Sequence, residues 1–237
     1  MLSPDESGVL RVSRWADWDW LVHGFSTRST GDFLDWPSDD VISERFGAAS
    51  CGTAMLRQVH SGRCVRADQA WGGDRPEADA VCTNRPRVLV GVRTADCLPV
   101  LLVDPRSRTV AAVHAGWRGV VARVLLNALE SLESEYGCNA GDIEAAIGPG
   151  IGPCCFEVGE DVASRFSGEF VDRSGSKPHV DLAAVLRAQL SQAGVDRVAT
   201  AGHCTSCDLG SYYSHRAEQG NTGRMLALVG LRETRVP

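Results

Sequence analysis

Long apolar runs are missing from this chain. Nowhere do ~18 uninterrupted hydrophobic residues occur, the length a membrane-spanning helix needs. Basic charge is also scarce. Lys and Arg total 24 against 30 Asp and Glu, a formal charge of −6, so there is no general basic face for nucleic acid or anionic lipid. The opening stretch Met1-Leu2-Ser3-Pro4-Asp5-Glu6-Ser7 lacks the cationic start and apolar run of a secretory signal, which predicts a cytoplasmic protein. Repeats, low-complexity linkers and shifts in composition are absent too. The expectation is one domain over residues 1–237.

What is present suits an ordinary globular chain, with 43% hydrophobic and 23% charged residues. The nine cysteines are odd in number and irregular in spacing, which argues against a disulfide framework. In a reducing compartment such thiols are metal ligands, nucleophiles or buried residues. Cys51, Cys64, Cys82 and Cys138 read as buried space-fillers. Trp15, Trp18 and Trp20 read as packing residues for the same reason of buried area.

The middle of the chain reads as strand. Runs at 88–92, 98–103 and 109–114 are β-branched and apolar, and Asp104-Pro105-Arg106-Ser107-Arg108 between the last two has turn chemistry. Those two runs form an antiparallel hairpin. Further strands are expected at 143–147, 195–201 and 225–231. The apolar stripe Val121, Val124, Leu125, Ala128, Leu129, Leu132 predicts a helix between Trp117 and Tyr136, stopped at Gly137. A second helix starts at the cap Asp181 and carries Leu182, Val185, Leu186 and Leu190, and a weaker one covers 159–167. Strands and helices do not alternate strictly, so an α+β layered fold is expected, with mixed sheets flanked by helices.

The hairpin carries the sharpest geometric expectation. With its turn centred near Arg106, Cys97 and His114 stand directly opposite, their Cβ atoms ~4.5–5.5 Å apart. That separation suits two ligands on one metal. It equally suits a buried thiol beside a core histidine. It suits a Cys–His hydrolase as well, with Cys97 as nucleophile, His114 as base and Asp96 or Asp79 as the orienting carboxylate.

Other features are weaker. The loop Gly148-Pro149-Gly150-Ile151-Gly152-Pro153-Cys154-Cys155 brings backbone close either to a ligand or to another chain segment. Cys204-Thr205-Ser206-Cys207 has the CxxC spacing of a redox pair or half a zinc knuckle, but no second CxxC completes it, so core or loop cysteines are expected. Arg28, Arg57, Arg118, Arg216 and Arg224 flank turns and offer themselves to phosphate.

Arg57-Gln58-Val59-His60, Ala78-Asp79-Ala80, Thr94-Ala95-Asp96-Cys97-Leu98-Pro99-Val100 and His114-Ala115-Gly116-Trp117-Arg118-Gly119 resemble, in order, the signature blocks of one family. Ile147 to Gly152, Cys154 to Gly159 and Thr222-Gly223-Arg224 resemble its later blocks. This is the YfiH-type polyphenol oxidase or laccase-domain family, also called the purine nucleoside phosphorylase family. The resemblance implies a CNF/YfiH-like α+β domain with zinc held by His60, Cys97 and His114. His60 enters the ligand set only through it. It further implies phosphorolysis of adenosine, inosine, guanosine and methylthioadenosine, with zinc-dependent deamination of adenosine. Some bacterial relatives are linked instead to peptidoglycan precursor editing, which would suit the Cys–His amidase alternative.

From this follow Asp79 or Asp96 as proton carrier, Arg118 or Arg57 as phosphate holder, and Arg28, Gln58 and Arg224 as further substrate contacts. Two blocks depart from the family pattern: Ser29-Thr30-Gly31-Asp32 replaces Gly-Gly-Val-Ser, and Tyr212-Tyr213-Ser214-His215-Arg216-Ala217 replaces Phe-Phe-Ser-Tyr-Arg-Arg. A multicopper laccase needs about ten histidines, several in His-x-His pairs. This chain has six and no such pair, so laccase chemistry is rejected, although copper can occupy the same three ligands. A non-enzymatic, metal-stabilised module would require a closed site.

Overall fold

The computed structural model describes residues 1–73 and 75–233. The amino-terminal strands are β1 (Leu2–Pro4), β2 (Leu10–Val12), β3 (Leu21–Phe25), β4 (Gly52–Met55) and β5 (Cys64–Arg66). The central ones are β6 (Ala80–Thr83), β7 (Val88–Thr94), β8 (Leu98–Asp104), β9 (Thr109–Ala115) and β10 (Glu144–Ile147). Short β11 (Val171–Asp172) and β12 (His179–Val180) pair with each other, and β13 (Arg197–Thr200) and β14 (Met225–Leu231) follow. The helices are α1 (Asp39–Phe46), α2 (Trp117–Val121), α3 (Val124–Tyr136), α4 (Glu160–Ala163) and α5 (Leu182–Gln192).

Two six-stranded sheets dominate. The first has the order β1-β2-β3-β14-β7-β4 and the second β13-β10-β8-β9-β6-β5. Both are mixed, because β4 runs parallel to β7, and β5 and β13 run parallel to β6 and β10. The expected α+β layering is therefore present. Period-two alternation explains why. In β8, Leu101 and Val103 face the first sheet, packing with Phe25, Val90, Val92 and Val229. Val100 and Leu102 face away, packing with Leu125, Leu129 and Leu132 of α3 and Leu186 of α5. α1 covers the outer face of the first sheet through Ile42 and Phe46. The result is helix, sheet, sheet, helices.

Three expectations need correction. The helix over 117–136 is broken: α2 ends at Val121, and Arg123 takes a left-handed φ of 62° before α3 begins. The stretch at 159–167 gives only the single turn of α4. The hairpin register is shifted, because β8 and β9 pair Pro99 with His114 and Asp104 with Thr109. The turn thus holds all of Pro105–Arg108, with Arg108 at φ 50° and the Asp104 carboxylate accepting from the N–H groups of Arg106 and Ser107. Cys97 lies diagonal to His114 rather than opposite it. The two still share one face, since a shift of two residues preserves the pleat.

The Gly-Pro loop after β10 packs against the chain itself. A Cβ on Gly148 would strike the Phe25 ring and Pro99, and the Ile151 N–H donates to the Asp96 carbonyl at 2.7 Å.

Candidate metal centre

His60, Cys97 and His114 place one ligand atom each within 4.8 Å of the others. Their backbone sources differ. His114 is on β9 and Cys97 immediately precedes β8, so the hairpin supplies both. His60 comes from the connection between β4 and β5, where its φ of 58° lies in the left-handed region. Strain of that kind persists only when the surroundings impose it.

Asp79 imposes it. This carboxylate has no solvent exposure. Its oxygens accept from the N–H groups of Val59 (3.3 Å), His60 (3.0 Å) and Ser61 (2.6 Å), and from the Ser61 hydroxyl (2.8 Å). It also accepts from Nδ1–H of His114 at 2.8 Å, while the Asp79 carbonyl accepts the His114 N–H. One side chain therefore holds the His60 segment and orients the His114 ring, leaving Nε2 of His114 for a metal. Burial would raise the Asp79 pKa, but the His114 ring and Ser61 bring it down to about 2.

The charges of the three ligands complement one another. Burial would raise the Cys97 thiol, yet the imidazoles of His114 and His60 draw it down to about 6. Burial likewise works against protonated His114, but Cys97 and Asp79 raise it to about 9. Space is closely matched. A Cβ on Gly116 would lie 2.9 Å from both Cys97 Sγ and His60 Cδ2, so only glycine fits there. One soft sulfur and two imidazoles are a borderline-metal donor set, and three ligands leave a coordination position facing the cavity.

Asp96 secures the loop before Cys97. It has a φ of 84° and is nearly buried, and Oδ1 accepts from the hydroxyls of Thr205 and Ser214, each at 2.7 Å. Its Oδ2 accepts the Arg216 N–H at 2.6 Å. Both carboxylates read from sequence as proton carriers are thus occupied by donors of the chain.

The centre opens on a cavity of about 780 Å³, within the ~300–1,000 Å³ typical of small-molecule sites. Of the residues named from sequence, Arg57, Gln58, Asp96, Arg216 and Arg224 line it. Arg57 is ion-paired with Glu77. The Gln58 amide bonds the backbone of Arg93 through both ends, which fixes it in place. Arg118 and Arg28 do not reach the cavity. Arg118 is exposed on α2 with its guanidinium 4.2 Å from the Trp117 ring centre. Arg28 bonds Glu218 at 2.9 Å and the Tyr212 carbonyl at 3.0 Å, and lies over the Tyr213 ring.

Sequence reasoning missed Trp36, Arg75 and Arg93 and marked His215 only as a departure from the family pattern; all four are in the cavity wall. Arg75 and Arg93 sit over Trp36 at 4.1 and 3.7 Å from the ring centre. Burial first, then Arg224 and Arg75, lower the Arg93 pKa to about 10, and its buried Nε has no hydrogen-bond partner among the described residues. Three guanidinium groups crowded this way call for an anion. The only sequence signal was an arginine ending the apolar run of β7. The two departing blocks also meet here: Asp32 accepts the Arg224 N–H at 2.9 Å, and His215 and Arg216 line the wall.

Comparison with known proteins identifies the family to which the chain belongs. Residues 39–232 match the family described as multi-copper polyphenol oxidoreductase laccase. A purine nucleoside phosphorylase of Deinococcus radiodurans is 38% identical over 89% of this chain and 89% of its own length. An adenosine deaminase, RL5, from an unknown prokaryotic organism is 34% identical over 86% of this chain and 87% of its own. The crystal structure of YlmD from Geobacillus stearothermophilus superposes with a TM-score of 0.85 at 27% identity, covering 98% of this chain and 99% of that one. No helix among the described residues is long and apolar enough to cross a membrane.

Proposed function

The chain belongs to the laccase-domain family, and on that premise we propose that it is a zinc-dependent purine nucleoside phosphorylase that also deaminates adenosine and cleaves methylthioadenosine. The observation that carries this reading is one cavity bearing two kinds of group: the His60, Cys97, His114 cluster and the Arg75, Arg93, Arg224 cluster. The first suits a Lewis acid and the second a phosphate, and relatives named for both reactions support the pairing.

Zinc held by His60, Cys97 and His114 would supply an open coordination position and Lewis-acid charge beside the substrate. The protein does the rest. In phosphorolysis a phosphate oxygen bonds the ribose C1′ as the C1′–N9 bond breaks and the purine departs. Arg93 and Arg224, with Arg75 and Arg57 at the rim, hold phosphate for that attack and offset its charge. Arg118 and Arg28, placed outside the cavity, take no part. Asp79 and Asp96 are positioning residues rather than proton carriers, because their oxygens are already engaged. One domain over residues 1–237, working in the cytoplasm where its thiols stay reduced, suits this chemistry.

A second reading has its own support. Asp79, His114 and Cys97 also stand in the order of a Cys–His hydrolase, with the Cys97 thiol drawn down to about 6. It leaves His60 without a task. Zinc content separates the two, since about one tightly held ion at these ligands favours the metal reading.

The test is adenosine with and without phosphate, following adenine and inosine separately, in wild type, His60→Ala and Arg224→Gln. Loss of both products in H60A is expected. R224Q should raise the phosphate KM roughly 10-fold or more, the worth of one charge-assisted contact, while inosine formation changes less than about 2-fold. Full activity in H60A would end the metal reading.

A further inference from the structure

Outside the cavity, four thiols meet. Cys154 and Cys155 follow the Gly-Pro loop, and Cys204 and Cys207 form the CxxC pair, which has a partner after all. Their sulfurs all lie within 4.8 Å of one another, with Cys207 Sγ 3.5 Å from that of Cys154 and 3.4 Å from that of Cys155. A tetrahedron of Zn–S bonds of ~2.3 Å has edges of roughly 3.8 Å, so small movements would bring all four to one ion.

The backbone is arranged for this. Neighbouring side chains in a strand point to opposite faces, but residues 153–155 form a turn, with the N–H groups of Cys155 and Phe156 both donating to the Gly152 carbonyl. Adjacent cysteines can then face one way. The CxxC segment folds back similarly, the N–H groups of Cys207 and Asp208 donating to the Cys204 carbonyl. The Gly152 N–H donates to Cys204 Sγ at 3.2 Å, a bond that favours a thiolate acceptor. A Cβ on Gly152 would lie 3.3 Å from Cys154 Sγ and 3.2 Å from Cys204 Cβ, so a side chain at this position would press on the cluster.

We propose that Cys154, Cys155, Cys204 and Cys207 bind a second metal ion, zinc, in a closed four-thiolate structural site. Four ligands leave no coordination position for substrate, so its work is mechanical. It clamps the loop after β10 to the segment after β13, beside the Thr205 N–H to Gly150 carbonyl bond of 3.0 Å. Those segments also supply Ile151 N–H to the Asp96 carbonyl and the Thr205 hydroxyl to its carboxylate. The clamp therefore braces the loop that presents Cys97.

The experiment measures metal per chain in protein purified with reductant and without chelator, for wild type, Cys207→Ser, Cys154→Ser and His60→Ala. Expected contents are about two zinc ions in wild type and about one in each variant. Cobalt exchanged into H60A should show the intense thiolate-to-cobalt absorption of a four-sulfur site, and C207S should lack it. Titration of metal-free wild type with cobalt gives the same count without relying on any variant. Wild-type content of about one, unchanged in C207S and C154S, would overturn the proposal, as would iron or a disulfide in place of zinc at these cysteines. A single ion lost in C207S but kept in H60A would support this site and sink the catalytic metal instead.

Discussion

Asp79 shows how one buried side chain can decide a site it does not enter. Its oxygens serve three backbone N–H groups, one hydroxyl and one imidazole. In Asp79→Asn one of those oxygens becomes an NH₂ that faces donors with a donor. Zinc affinity, measured by chelator competition, should fall roughly 10–100-fold. A D79N protein with wild-type affinity but no turnover would instead restore the proton-carrier role. His23 is a second buried group with a measurable signature. Its Nε2 accepts the Val12 N–H at 2.9 Å, and burial, helped by Arg11 and Arg232, lowers its pKa from 6.5 to about 3. The folded state thus refuses a proton that the unfolded chain accepts. The associated stability is complete above pH 6.5 and is lost as pH falls from there toward 3, with a slope of about 1.4 kcal/mol per pH unit. Urea denaturation at pH 7, 6 and 5 should show a loss that steepens toward that slope below pH 6 in wild type and a shallower one in His23→Gln; parallel curves would remove His23 as the cause.

At the scale of elements, the β8–β9 hairpin presents two of the three candidate ligands, and Gly116 at its open end makes room for the third. Gly116→Ala puts a methyl 2.9 Å from Cys97 Sγ and His60 Cδ2. The hairpin is long and buried, so the variant should fold while its zinc affinity drops at least about 10-fold, by the same chelator competition. Unaltered affinity would mean that His60 does not approach the hairpin as described. This element also marks how far the sequence could be read. Continuous apolar runs located β8, β9 and β14, and the cap Asp181 located α5, because those signals are local. The register was misread because Arg108 adopts a left-handed φ, which nothing in an Arg codon-for-position pattern announces. The break at Arg123 was hidden for the same reason, under an apolar stripe that runs on past it. His60, Arg75 and the Cys154–Cys155 pair reach their sites only through contacts between distant segments. For His60 the family resemblance supplied what periodicity did not; for the other two no signal existed.

Across the whole molecule, the two sheets meet through apolar side chains, joined by a polar tie at Glu144. Glu144 of β10, in the second sheet, accepts from Trp15 Nε1 at 2.7 Å, and Trp15 follows β2 of the first sheet. Arg14 approaches the same carboxylate at 2.7 Å and Arg197 at 3.5 Å, both from partly exposed positions. The arginines can return to water if the carboxylate is lost, so their ion pairs matter little. The indole N–H cannot, because Trp15 is 1% exposed. Glu144→Ala should therefore cost about 1–3 kcal/mol, the penalty of an unsatisfied buried donor, which lowers Tm by about 2–4 °C per kcal/mol for a chain of this size. Glu144→Gln keeps an acceptor for the indole and should recover most of the loss. If the two variants melt together, the charge rather than the indole bond holds the sheets in register. If neither melts below wild type, apolar packing alone joins them, and the cavity at their edge owes its shape to the loops braced by Asp79 and Asp96.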